Sequence, residues 1–345
     1  MNIFPNVLGN DRESKVYSRV ATSMLSHHGH PSVRAAVLLD LLHVLVTDHA
    51  GAAAAHLVVD AHAQPLGGFP DLHLAITSAE GCADELLVAG EDSRGGVILV
   101  SLSSDGTERW RSPLAVGPFV TRAPRVLSTG RRAIVVWEET EDDQSVLLVC
   151  DVRAASCGTA RRLILPDVTH DLDLVLTSAG LVIARLSGSP PRWSLLRLDR
   201  RRNLTRVELD AIGTGSIAIA PTAGGVALAW DEGESVGMRN FDASLTPLGD
   251  SVSLGIPGGT IKRLGGYGPS RPAFVATAWK GKPGARGVLS TEKVRSHVLL
   301  DGSVLEVPIP VGWIETGGWL GETFVLIHGD GPMAASAFSA LAGRG

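Results

Sequence analysis

Seven short apolar stretches recur along the chain, and each runs into a polar or glycine-rich segment. In order they are LHVLVTDHAG, ELLVAGEDSRGG, AIVVWEETEDD, LVIARLSGS, VALAWDEGES, FVATAWKGKPG and TFVLIHGDG. Their strand ends fall at Thr47, Gly90, Trp137, Arg185, Trp230, Trp279 and His328, so the successive gaps are 43, 47, 48, 45, 49 and 49 residues. Brief runs of Val, Leu, Ile and Ala bounded by turn residues are the pattern of buried strands rather than of amphipathic helices. Ala35 to Val46 has enough apolar content to be read as a helix, but it keeps phase with the six later repeats and is therefore expected to be strand.

A second marker keeps the same beat in the following strand, which ends in Asp or Ser before a turn. It is found at Asp60, Ser104, Asp151, Asp199, Asp242 and Asp301. Such short polar side chains bond back to nearby backbone and tolerate left-handed geometry, so they close hairpins. The one long interval, from Asp242 to Asp301, coincides with an insertion around Gly281 to Lys293, expected to lie in a loop. A period of roughly 40 to 50 residues with several short strands is the signature of propeller blades, in which each small sheet covers its faces by stacking on its neighbours around an axis. The expected fold is all-β: a single seven-bladed β-propeller of four-stranded antiparallel blades, the apolar runs forming the inner buried strands.

The expected blades lie at about residues 31–68, 69–117, 118–167, 168–212, 213–256, 257–311 and 312–345. Only 17 residues follow His328, enough for one more strand around Ala334 to Ala340 but not for two. Lys15 to Ala21 (KVYSRVA), within the N-terminal segment 1–30, is placed to supply the missing strand and to close the ring, which removes an exposed edge.

Composition agrees with many turns and short strands: 40 Gly and 19 Pro punctuate a chain that is 44% hydrophobic and 5% aromatic. IVVWEE and VALAWDEGESVGMRNFDASLTPLG resemble blades of degenerate bacterial β-propellers, and the resemblance runs over nearly the whole chain. The WD-repeat and kelch subfamilies are not similar, since neither the Gly-His to Trp-Asp pairing nor a di-glycine with spaced aromatics recurs. The resemblance implies a fold and leaves the function open.

The net charge of −5 offers no general attraction to nucleic acid, and no run approaches the roughly 20 apolar residues of a membrane span. Met1 to Arg12 has no basic region followed by an apolar one, and three cysteines make no complete disulfide framework; both predict a cytoplasmic protein. Cys150 and Cys157 are placed to bridge the arms of a hairpin, which keeps secretion or a periplasmic home as the alternative.

In a propeller, the loops between second and third strands share one rim with the loops between blades. That rim gathers His27, His28, His30, Asp48, His49, His73, His170, Asp171 and Asp231, together with Asp71, Glu91, Asp92, Asp167 and the acidic runs Glu138 to Asp143 and Asp231 to Glu234. Imidazoles and carboxylates from several blades are what a divalent metal site requires, and a histidine there would serve as general base in a metal-dependent lyase or hydrolase, a use some bacterial propellers make of this rim. Solvated loops account for the same residues, so no cofactor is expected. The opposite rim carries Arg153, Arg200, Arg201 and Arg202, with Arg161 and Arg162 beyond, as a basic patch for an acidic partner. Trp137, Trp230 and Trp279 occupy equivalent strand ends, where packing is expected and a sugar-stacking lectin surface is the alternative. Cys82, in a loop, has no matching base in the sequence. Taken together, these residues predict a non-catalytic binding or scaffold module for a protein or a small ligand.

Overall fold

The computed structural model describes residues 17–28, 32–47, 54–69, 72–91, 96–114, 120–142, 144–153, 156–165, 167, 169–201, 203–209, 215–232, 235–256, 260–264, 271–283, 289–300, 303–306, 313–329 and 332–340. These residues form β-strands and turns arranged in seven antiparallel sheets, as a seven-bladed propeller.

β1 (Tyr17–His28) precedes the first blade, which contains β2 (Ser32–Leu38), β3 (Leu41–Thr47), β4 (Ala54–Val59) and β5 (Pro65–Phe69). Blade 2 contains β6 (Ala75–Cys82), β7 (Glu85–Glu91), β8 (Val97–Leu102) and β9 (Glu108–Pro113). In blade 3, β10 (Val120–Ser128), β11 (Ala133–Glu141) and β12 (Gln144–Arg153) are followed by an outer strand split into β13 (Ser156–Cys157) and β14 (Arg161–Ile164), both paired with β12. Blade 4 is β15 (Thr169–Thr177), β16 (Gly180–Ser187), β17 (Arg192–Asp199) and β18 (Leu204–Glu208); blade 5 is β19 (Ile217–Thr222), β20 (Gly225–Asp231), β21 (Val236–Asp242) and β22 (Pro247–Ser253). Blade 6 is β23 (Thr260–Arg263), β24 (Ala273–Pro283), β25 (Leu289–Leu300) and β26 (Ser303–Glu306). Blade 7 joins β27 (Trp313–Leu320), β28 (Thr323–Gly329) and β29 (Pro332–Ala340) to β1.

The closing strand is therefore drawn from the other end of the chain. It pairs antiparallel with β29 from Tyr17 opposite Ala340 to His28 opposite Pro332, and so reaches further than the expected Lys15 to Ala21. Ala35 to Val46 is a hairpin: Leu39 and Asp40 both take positive φ, 50° and 58°, the tight turn that suits the twist of two strands.

A sheet of four short strands cannot bury both its faces by itself, and the side chains show where the burial is made. Seven separate apolar clusters fill the seams between successive blades. Leu38, Leu45, Leu74 and Leu86 join blades 1 and 2, and Leu99, Val126, Val135 and Trp137 join blades 2 and 3. Corresponding sets follow at each seam. The last seam sets Leu42, Val44 and Val46 of blade 1 against Val325, Ile327 and Ala335 of blade 7, which completes the circle.

The recurrent apolar runs are the second strand of each blade and carry its most continuous burial. The innermost strand is the one before, and its burial is broken because part of it meets the axis rather than a seam. At the marker position, Trp137 and Trp230 are 3% and 2% exposed; each indole Nε1 donates to the carboxylate two residues on, Glu139 at 2.8 Å and Glu232 at 3.0 Å. Gly237 is required beside the second, since a Cβ there would sit 2.2 Å from the Trp230 ring. These two rings are thus core, not a sugar platform; the Trp279 side chain lies outside the described residues.

Turn chemistry follows the second marker in several blades. Asp60 Oδ1 accepts from the backbone N of His62 and Gln64, both at 2.8 Å, and Asp242 Oδ1 accepts likewise from Ser244 at 2.7 Å and Thr246 at 2.8 Å. Asp199 Oδ1 accepts from Asn203 N at 2.8 Å. Asp151 departs from this use: its hairpin is held by a disulfide between Cys150 and Cys157, leaving the carboxylate for arginines. The insertion at Gly281 to Lys293 is not simply a loop, because β24 and β25 go on pairing from Lys280 opposite Glu292 to Pro283 opposite Leu289, which keeps their backbone groups bonded.

Candidate functional site

The first strand of every blade contributes to one axial cavity of about 660 Å³. Its walls are polar because the side chains facing the axis have no neighbouring blade to pack on. Several of them tie one blade to the next instead. Ser78 Oγ accepts from Val126 N at 3.1 Å and donates to Val126 O at 3.4 Å. Ser216 Oγ does the same with Ile261, at 3.1 Å each way. Thr77 Oγ1 donates to Pro124 O at 2.8 Å. These hydroxyls hold adjacent inner strands together at the cost of their own availability.

Asp173 performs the same role with a charge. Oδ1 accepts from Leu174 N at 2.9 Å and from Arg125 Nη1 at 3.2 Å, while Oδ2 accepts from Ile219 N at 3.0 Å, so one carboxylate spans blades 3, 4 and 5. Arg34 donates to the carbonyls of Thr77 and Val33 at 3.0 and 2.9 Å, and Arg263 to the carbonyl of Leu174 at 3.2 Å. The lining holds four cationic side chains, Arg34, Arg125, Lys262 and Arg263, against three carboxylates, Glu80, Asp171 and Asp173. In a chain of net charge −5, the axis is a place where cations are slightly in excess.

Of the rim residues expected from the sequence, Asp171 lines this cavity, at the start of β15. His170 beside it is exposed, with Nε2 3.3 Å from Gly188 O. His73 is exposed ahead of β6 with a positive φ of 49°, and Asp231 is half-buried at the end of β20, with its Cβ against Gly215. His27 and His28 end β1, but their side chains lie outside the described residues, as do His30, Asp48, His49, Asp71, Asp92, Asp143 and Glu234 altogether. Among the described residues, no group of three or more His, Cys, Asp or Glu side chains is placed to hold a metal ion. Glu138 and Glu139, expected in a solvated acidic loop, are instead buried in β11, 2% and 7% exposed, because that strand runs on to Glu141.

The opposite rim carries the hairpins between first and second and between third and fourth strands. Arg153, Arg200 and Arg201 are exposed there, and Arg202 lies outside the described residues. A cleft of about 710 Å³ between blades 2 and 3, bordered by the outer turn of blade 4, brings Arg153, Arg161 and Arg200 together with Arg131 and Arg132, which sequence reasoning did not single out. Arg162 pairs instead with Glu141. Cys82 ends β6 rather than lying in a loop, and it too lines this cleft.

Sequence reasoning also passed over a buried pair. His43 and His56, 0% and 1% exposed, meet with Nδ1 of the first 2.9 Å from Nε2 of the second. Burial pushes His43 down to about 4, and burial with the neighbouring His43 charge pushes His56 down to about 3. Both are structural in position, on β3 and β4, away from either cavity.

No family model matches the chain, and no curated protein sequence matches it either. Solved structures do. A streptogramin B lyase is similar at 14% identity with a TM-score of 0.57, over 94% of this chain and 98% of that one. BBS1N, solved in complex with ARL6DN, is similar at 16% identity and 0.53, over 95% and 98%. The β-propeller domain of the Trilobed protease from Pyrococcus furiosus is similar at 7% identity and 0.54, over 90% and 94%. At these identities the likeness concerns the propeller fold alone.

Proposed function

We propose that the protein is a non-catalytic binding module whose axial cavity takes a small polar ligand bearing carboxylates. The observation that carries this reading is the cavity's lining, in which four cationic side chains from blades 1, 3 and 6 outnumber three carboxylates. Arg125 and Asp173 largely cancel each other at 3.2 Å, which leaves three cations, Arg34, Lys262 and Arg263, against two carboxylates, Glu80 and Asp171, an excess of one positive charge. A volume of about 660 Å³ falls within the range of roughly 300–1,000 Å³ typical of small-molecule sites. The reading is non-catalytic because the hydroxyls at the axis, Thr77, Ser78 and Ser216, are committed to backbone groups of the next blade and hold strands rather than attack a substrate.

Titration calorimetry of the full chain with citrate, with glucose as a neutral control, tests the reading. Citrate is expected to bind with an affinity that Lys262→Gln weakens by about three- to ten-fold, the order of one charge contact in a partly enclosed site. Equal heats for citrate and glucose, or an unchanged citrate affinity in Lys262→Gln, would refute it.

A further inference from the structure

The cleft between blades 2 and 3 lies on the rim of the first-to-second and third-to-fourth hairpins, and arginines dominate its lining. Five arginines line it: Arg131, Arg132, Arg153, Arg161 and Arg200. Three carboxylates, Asp84, Glu85 and Asp151, stand among them. Those carboxylates are already engaged. Asp151 accepts from Arg132 at 2.7 Å and Arg161 at 2.6 Å, and Arg109 holds Asp84 at 2.9 Å and Glu85 at 3.5 Å. Burial alone would raise the Asp151 carboxyl, but the bond from Arg132 and the charges of Arg132, Arg161 and Arg153 outweigh it and hold the group below the usual carboxylate range, so it stays ionised. Arg131, Arg153 and Arg200 are exposed; among the described residues none of the three makes a close ion pair with a carboxylate, and the Arg153 charge reaches Asp151 only at longer range, where two other arginines already hold that group.

Each of these three arginines stands next to a described tie in the backbone. Arg131 follows Gly130, whose carbonyl accepts from Ala83 N at 2.7 Å and so ties the blade 3 turn to that of blade 2. Arg153 lies in the hairpin closed by the Cys150–Cys157 disulfide. Arg200 stands in a turn where Asp199 accepts from both the backbone N and the side-chain Nδ2 of Asn203, at 2.8 and 2.9 Å. Loops held this way lose little freedom when something binds, which favours recognition of a flexible segment. Half-buried Trp110 and fully buried Leu87 give the cleft an apolar wall between the charges.

We infer that this cleft is a docking site for an acidic polypeptide segment, a run of Asp and Glu on a partner protein, whose carboxylates pair with Arg131, Arg153 and Arg200. The planar fork of arginine matches carboxylates two bonds at a time, and three forks on separate turns suit an extended chain better than one compact anion. A nucleic acid would meet only one aromatic here, Trp110, where a stacking surface uses several. This site is independent of the axial one.

Fluorescence anisotropy with labelled decaglutamate tests the assignment on the full chain, with decaglutamine and a single-stranded DNA 20-mer as controls. Decaglutamate is expected to bind, with affinity falling as salt rises. Arg131→Ser, Arg153→Ser and Arg200→Ser should each weaken it by about two- to five-fold and the triple variant by at least about ten-fold, at unchanged melting temperature. Lys262→Gln, at the axis, should leave it unaltered. The assignment is overturned if decaglutamate fails to bind at millimolar concentration, if decaglutamine binds equally, or if the triple variant keeps wild-type affinity. Tighter binding of the DNA, lost in the triple variant, would assign the cleft to phosphate backbones instead.

Discussion

The seam between blades 1 and 2 should make the ring sensitive to mild acid. His43 and His56 are buried in strands β3 and β4, and at 2.9 Å their facing nitrogens share a single hydrogen, one ring donating and the other accepting. Protonating the acceptor would set two donors face to face in an apolar seam. The sign follows from linkage: both groups are held below 6.5 in the folded protein, to about 4 and about 3, so the unfolded chain takes up protons first and stability falls as pH drops through 6.5. Between pH 7 and pH 5 each imidazole contributes a loss of roughly 2 kcal/mol, about 4 kcal/mol for the pair. Spread over 345 residues at about 2.1 cal/mol/K each, that lowers the melting temperature by about 5 °C. The assay is differential scanning fluorimetry of the wild type and His43→Gln/His56→Gln at both pH values. The wild type should lose about 5 °C more than the variant on acidification. If the double variant folds too poorly, His56→Gln alone should recover about half of that difference. Equal losses in wild type and variant would refute the reasoning.

Two further outcomes follow from single contacts. Asp173→Ala removes the acceptor for Ile219 N and the partner of Arg125, and should destabilise the ring by about 2–4 kcal/mol in urea unfolding, whereas Asp173→Asn, which keeps one acceptor oxygen, should cost about half as much. Thiol titration of denatured, non-reduced protein should give one reactive group, Cys82, since Cys150 and Cys157 are joined; a count of three would contradict the bridge.

The ring was legible in the sequence because second strands are buried on both sides, and a run such as AIVVW has to be apolar throughout wherever it recurs. The closing strand was legible from arithmetic at the C-terminus. The inner strands were not, since one face meets the axis and its polar residues answer to partners far along the chain: Ser78 to Val126 and Ser216 to Ile261 are 48 and 45 residues apart. The axial cavity shows nothing in sequence for the same reason, being assembled one to four residues at a time from seven blades. Three of the five arginines of the basic cleft were visible, Arg153 and Arg200 on third-to-fourth turns and Arg161 just beyond; Arg131 and Arg132 lie on a first-to-second turn, which shares that rim only once the blade order is known. The His43–His56 pair depends on the register of β3 and β4, in which His56 faces Leu45, and no spacing rule marks it.

All of these sites are held in place by seven seams that close only if β1 completes the last sheet. Differential scanning calorimetry of the full chain against the chain lacking residues 1–28 tests that directly. One cooperative transition is expected for the full chain, and a broad transition at much lower temperature for the truncated one, with the bared edge of β29 promoting association. An equally sharp transition at the same temperature in both would contradict it.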